Sequence, residues 1–236
     1  MADFKLTTGD SLDMIRDEIV SCRLCPRLVA WREKVAEEKV RRFKEDTYWG
    51  KALPGFGDPQ AGLILVGLAP AAHGGNRTGR MFTGDNSGKW LYGALFKFGF
   101  SNRAQSIRRD DDLRLKDAYI TAAVRCAPPD NKPEKPEFER CAPFLKRELK
   151  LLKNKRILLG LGKIGFDKAI DSLEFEKPPG YRRPKFSHGA QFQLSSNLFL
   201  LGSFHPSQQN TYTGRLTEEM FHSVFRRARA ILDGKE

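Results

Sequence analysis

The chain has 236 residues, with 41 Lys+Arg against 29 Asp+Glu, a formal net charge of +12 and a pI near 9.7. This length suits one large α/β domain or at most two small ones, and the charge points to polyanionic partners, nucleic acid first. No apolar run is long enough to span a membrane and residues 1–10 lack the apolar core of a signal peptide, so membrane classes are excluded and a cytoplasmic, nucleoid-associated protein is expected.

Residues 11–20 carry Leu12, Ile15 and Ile19 at helical spacing behind Asp10 or Ser11 as N-cap. Pro26 opens a second helix reaching about residue 39, with Leu28, Val29, Trp31 and Val35 inward. Basic residues 39–44 then lead to Tyr48-Trp49-Gly50, a pattern that suits either phosphate tracking or a solvated face. Residues 63–66, LILV, read as a buried strand. After it, Asn86 or Ser87 caps a helix to about residue 98, and residues 110–117 read as a solvated, charged connector. Residues 118–124 form a second buried strand, residues 137–153 a helix, 156–159 a third strand and 198–204 a fourth. Thr217 caps the last helix.

Strands alternating with helices predict an α/β fold, a three-layer α/β/α sandwich with a central four-stranded parallel sheet, formed by residues 1–236 as a single domain. In such a sheet the loops after the first, second and fourth strands meet at one edge. The first of them, about twenty residues between the strand and Asp85, is long enough to suggest function. Its Gly67, Ala69, Ala71, Gly74 and Gly75 let backbone amides approach a ligand, and His73, Asn76, Arg77 and Arg80 stand among them. Gly160 to Gly165 matches G-x-G-x-x-G, but residues 177–184 read as a Pro-, Gly- and Arg-rich loop where a dinucleotide site needs a further strand and an acidic residue.

Four cysteines, Cys22, Cys25, Cys126 and Cys141, suit metal ligands or inert core thiols better than disulfides in a reducing compartment. The spacing alone allows zinc or an iron-sulfur cluster.

Residues 67–80, GLAPAAHGGNRTGR, then Phe82-Thr83-Gly84-Asp85 and His205-Pro206-Ser207-Gln208-Gln209-Asn210-Thr211, resemble the motifs of the family 5 uracil-DNA glycosylases of bacteria and archaea. The resemblance implies a DNA repair hydrolase that removes uracil by cleaving its N-glycosidic bond, with DNA containing uracil or other deaminated bases as substrate and a monomer as the working form. It also implies a structural [4Fe-4S] cluster on Cys22, Cys25, Cys126 and Cys141. The extruded base would lie among Gly67, Ala69, Ala71, His73 and Gly74, stacked on Phe82. His205 would donate to the departing base, as an oxyanion-hole donor does. Asp85, or else Asn76, would hold the attacking water. Asn131 would replace the pyrimidine-reading asparagine that related families place where this chain has Ala122, and the loss of that reader implies activity on hypoxanthine. Arg77, Arg80, Ser207, Gln208, Gln209, Asn210 and Tyr212 would contact DNA, the residue 207–212 loop from the minor groove. A non-catalytic, metal-stabilised nucleic-acid-binding module is the competing class.

Overall fold

In the computed structural model, residues 9–175 and 180–235 are described. The opening residues 1–8 and positions 177–179 of the Pro-rich loop lie outside them. In chain order the elements are α1 (Leu12–Ser21), α2 (Pro26–Glu38), β1 (Phe56–Gly57), β2 (Leu63–Gly67), α3 (Gly75–Thr78), α4 (Asn86–Lys97) and β3 (Ala118–Ala122). They continue with α5 (Lys135–Leu151), β4 (Ile157–Leu161), α6 (Lys163–Asp171), β5 (Gln191–Ser195), β6 (Leu198–Ser203), α7 (Gln208–Tyr212) and α8 (Glu218–Leu232).

Side-chain alternation along the buried strands sets the layers. On β2, Leu63 and Leu65 face one way and pack with Leu91 and Leu95 of α4 and Phe221 and Phe225 of α8. Ile64 and Val66 face the other way, onto Leu145 and Leu149 of α5 and Phe166 and Ile170 of α6. A third apolar cluster joins Ile15 and Ile19 of α1, Leu28 of α2 and Phe144 of α5 around the cysteines.

The strands run β1-β3-β2-β4-β6-β5. The four inner strands are parallel, as their sequences predict, and β1 and β5 add antiparallel edges that the sequence reading does not contain. Both are hard to read in sequence: β1 is two residues long, and β5 alternates exposed Gln with Phe192 and Leu194 behind an irregular loop. The order reverses around β2, since the chain moves from β2 to β3 on one side and then crosses to β4 on the other. Ligands of open α/β sheets bind at such a switch point, outside the strands' carboxyl ends.

The charged connector is not simply solvated. Asp111 accepts from the buried Arg80, and Asp117 accepts from Gly62 N at 2.6 Å and pairs with Arg229. The G-x-G-x-x-G run is a packing device. A Cβ on Gly165 would overlap the Val66 carbonyl oxygen and one on Gly160 the Phe166 backbone, so these glycines let α6 lie directly on the sheet.

Candidate active site

Gly67 ends β2 at the switch point, and the Phe82 ring lies over it. A Cβ at Gly67 would stand 3.2 Å from Phe82 Cζ and 3.3 Å from Cε2, so only glycine leaves the ring its full seat. Phe82 itself has φ of 54°, a conformation that costs a bulky residue on the order of 1–3 kcal/mol and persists only when its surroundings enforce it. The surroundings do so from three directions. Tyr92 Oη donates to Met81 O at 2.9 Å, Thr83 and Ser106 hydroxyls meet at 2.6 Å, and Gly88 of α4 presses so closely on the Phe82 carbonyl that no side chain fits there.

His205 arrives from the opposite loop, two residues beyond β6. Its ring faces Phe82, with centroids 5.8 Å apart and planes tilted by 31°. Its Cβ rests against Gly162, which has φ of 83° at the end of β4. Enclosure by protein pushes the imidazole down to about 4, so the ring is neutral at physiological pH. Among the described residues neither ring nitrogen has a hydrogen-bond partner, whereas the His205 carbonyl accepts from Ser207 N and from Asn210 Nδ2, both at 2.8 Å. The backbone is thus anchored while the ring is left to a ligand.

The rest of the glycine loop is held by contacts of its own. Asn76 N donates to Ala71 O at 3.0 Å, and Ala69 packs on the cysteine cluster. His73 Nδ1 lies 3.2 Å from the buried Tyr48 hydroxyl, and burial with the nearby Arg77 charge lowers its pKa. Asp85 is the N-cap of α4, with Oδ1 accepting from Gly88 N at 2.8 Å, a position the sequence reading gives to Asn86 or Ser87. Its other oxygen is aimed at Gly74, where a Cβ would overlap it, and burial raises the carboxyl above its ordinary value.

Several expected roles are corrected. Arg77 is an internal brace: it pairs with Asp46 at 2.6 Å, donates to His73 O and Gly84 O, and lies over the Phe43 ring. Arg80 is 4 % exposed and is held by Asp111, Arg108 O and the Phe56 ring. Neither guanidinium faces outward to a DNA phosphate. Asn76 is wholly buried and donates its Nδ2 to Arg32 O at 3.1 Å, while its Oδ1 has no hydrogen-bond partner among the described residues. Asn131 is exposed, with φ of 56°, beside a segment that Arg27 of α2 holds through Lys132 O, and its amide contacts neither Phe82 nor His205. The expected loop 207–212 is helix α7, capped by Ser207, with Gln208 and Gln209 outward and Tyr212 74 % exposed.

All four cysteines line one cavity, with Leu28, Val29, Val124 and Phe144 as its apolar wall. Among the described residues no group of three His, Cys, Asp or Glu is arranged around a single ion. Burial pushes Cys126 up to about 11 and Cys141 up to about 12, so these thiols keep their protons unless a metal centre replaces them. Cationic donors surround the sulfurs: Arg32 Nη1 donates to Cys126 Sγ at 2.9 Å, Arg140 hydrogen-bonds Cys25, and Arg125 carries its charge to Cys141. Among the described residues, buried N–H groups of Arg125 and Arg32 have no partner, as expected of a donor set that a sulfur-rich anion would complete. Sulfur ligands, apolar wall and positive surround fit an iron-sulfur cluster.

Sequence reasoning missed Gly162, Ser106 and Arg32. The first stands inside a motif that reads as nucleotide-binding, and the second is an ordinary loop serine. Arg32 does carry a signal, because it falls in step with Leu28, Val29 and Val35 on the inward stripe of α2.

Residues 54–229 match the family model of the uracil DNA glycosylase superfamily. The chain is 48% identical over 213 residues to a type-5 uracil-DNA glycosylase of Thermus thermophilus, covering 90% of this chain and 94% of that protein. It is 47% identical over 222 residues to that of Mycobacterium leprae, covering 94% and 96%, and 42% identical over 214 residues to that of Pyrobaculum aerophilum, covering 91% and 90%. The chain belongs to the type-5 uracil-DNA glycosylase family.

Proposed function

We propose that this protein excises uracil from DNA by hydrolysing the N-glycosidic bond, leaving an abasic site for base excision repair. The observation that carries the reading is the neutral His205, both ring nitrogens without a partner among the described residues, facing Phe82 over Gly67 at the switch point. The type-5 glycosylase relatives, near half identical over most of the chain, support it.

A base must leave the duplex to reach such a recess, at a cost of about a few kcal/mol that is least for a mispair, so uracil opposite guanine is the favoured substrate. Phe82 stacks on the extruded ring, and its enforced backbone means that this face is in place before the base arrives. As the bond breaks, negative charge gathers on the pyrimidine, and an imidazole N–H of His205 donates to its O2. A preorganised neutral donor lowers that barrier without first taking up a proton. Asp85 turns its second oxygen toward Gly74, from where the carboxylate holds water or faces the cationic sugar. Tyr212 and the polar face of α7 enter the minor groove and fill the gap the base leaves.

Ala122 ends β3 with no amide to read a pyrimidine edge, so the recess also admits hypoxanthine. Cleavage of inosine in a lesion panel supports this, and strict confinement to uracil refutes it. Cys22, Cys25, Cys126 and Cys141 hold a [4Fe-4S] cluster that ties α1, the loop after β3 and α5 into one body. Its role is structural. The protein works as a monomer of one domain on nucleoid DNA, a reading supported by its net charge of +12.

The test is a labelled duplex with one deoxyuridine opposite guanine, treated with alkali after incubation. Scission at that position, lost in His205→Ala, is the expected result. An intact strand bound tightly and salt-sensitively would replace the glycosylase with a metal-stabilised DNA-binding module.

A further inference from the structure

Two arginines are fully buried beside the cysteines, and they differ in one respect. Arg125 has an internal counter-ion, since its Nη2 donates to Glu148 Oε2 at 2.6 Å. Arg32, 1 % exposed, makes no salt bridge among the described residues, and Glu33 acts on it only at longer range. Its Nη1 donates to Cys126 Sγ at 2.9 Å, its Nη2 to Cys22 O at 3.0 Å, and its Nε is buried with no partner. A guanidinium taken out of water demands opposite charge nearby, and the cysteine sulfurs are what its fork reaches. Four thiolates around an iron-sulfur core make a net anion, which is the missing counter-charge.

The same residue reaches the glycine loop. Its carbonyl accepts from Asn76 Nδ2 at 3.1 Å, and Asn76, wholly buried on α3, belongs to the loop that runs from Gly67 to Phe82. One residue of α2 therefore touches a cysteine ligand with its side chain and the pocket loop with its backbone.

We propose that Arg32 is the internal counter-ion of the cysteine-bound cluster and, through Asn76, a positioning residue for the base-pocket loop. The first half rests on the cluster reading above. A cationic N–H on a ligand sulfur stabilises added negative charge, so Arg32 raises the potential at which the cluster accepts an electron and slows the loss of its iron. Asn76 carries the placement of α2 into the loop, so its removal changes catalysis without changing the cluster.

The experiment compares whole wild-type protein with Arg32→Gln, which keeps an N–H donor without charge, Arg32→Lys, which keeps charge without the fork, and Asn76→Ala. Iron and sulfide content, midpoint potential and iron release to a chelator are measured beside kcat and KM on the deoxyuridine duplex. Expected are a more negative potential and about 10- to 100-fold faster iron release in Arg32→Gln, and values near wild type in Arg32→Lys. Complete loss of iron from Arg32→Gln with retention in Arg32→Lys is the same result in stronger form. Asn76→Ala keeps wild-type iron release and potential but has a lower kcat.

Wild-type protein without iron and sulfide overturns the cluster reading itself. A loaded wild type whose potential and iron release are matched by Arg32→Gln, or loss of the cluster from both Arg32 variants, overturns the counter-ion role. Wild-type kinetics in Asn76→Ala overturn the link to the loop.

Discussion

The neutrality of His205 makes acid stability a direct test of the site. An imidazole moves from its ordinary value of 6.5 in the unfolded chain to about 4 in the folded one because protein encloses it. Between those values the unfolded chain takes up a proton that the folded chain refuses, so stability is fully present above 6.5 and is lost as pH falls toward 4. At pH 7 the contribution is negligible, and at pH 5 it reaches about 2 kcal/mol against folding, since each tenfold difference in proton affinity between the two states is worth about 1.4 kcal/mol. Replacing His205 with Gln keeps a planar polar side chain and removes the titration. Urea unfolding of both proteins at pH 7 and pH 5 reads the difference: wild type should lose about 2 kcal/mol more than His205→Gln across that interval, or about 0.7 M in midpoint for a slope near 3 kcal/mol/M. Equal losses in the two proteins would mean that the ring is protonated, or open to water, in the folded state, and the neutral-donor mechanism would fall with it.

Phe82→Ala removes the stacking face while Tyr92 and Ser106 still hold the loop. It should cost about 1–3 kcal/mol of base binding, read as a roughly ten- to hundredfold lower kcat/KM on the deoxyuridine duplex at a temperature well below the melting point, which itself falls because Phe82 packs on the core. Glu148→Gln strips the buried Arg125 of its negative partner and leaves one amide oxygen for Thr121 and Arg125 to share, so chemical denaturation should show a loss of about 3–5 kcal/mol; a loss under 1 kcal/mol would show the pair to be solvated. Gly165→Ala drives a methyl into the Val66 carbonyl and should lower stability by about 1–3 kcal/mol in a thermal melt, with no dinucleotide affinity to lose. Arg80→Met, because the guanidinium is internal, should destabilise the fold while leaving the salt dependence of DNA binding at its wild-type slope.

Local physics made the framework readable from residues alone. Four apolar runs can only be buried strands, and between them Ser11, Pro26 and Thr217 start helices by their own side chains. The glycine loop and the residues after β6 announced themselves because small or polar residues directly after a buried strand have no packing task. Their meeting followed once the strands were parallel. What the sequence determined, then, was which segments bury, which way the strands run and which strand ends hold chemistry, because burial periodicity and capping act over a few residues.

Tertiary structure decided which way individual side chains turn. Arg77 and Arg80 look like phosphate ligands beside glycines, yet Asp46, from before β1, and Asp111, from the connector, draw them inward. Asp85 became a cap because its φ of −135° presents Oδ1 to Gly88 N, and Asn131 stands next to Lys132, whose carbonyl accepts from Arg27 of α2. Arg32 could acquire its meaning only when Cys126, 94 positions away, was folded against it. Partners so distant in sequence have no local signature, and whether a charge points to solvent or to a buried counter-charge is settled by the desolvation balance of the assembled core.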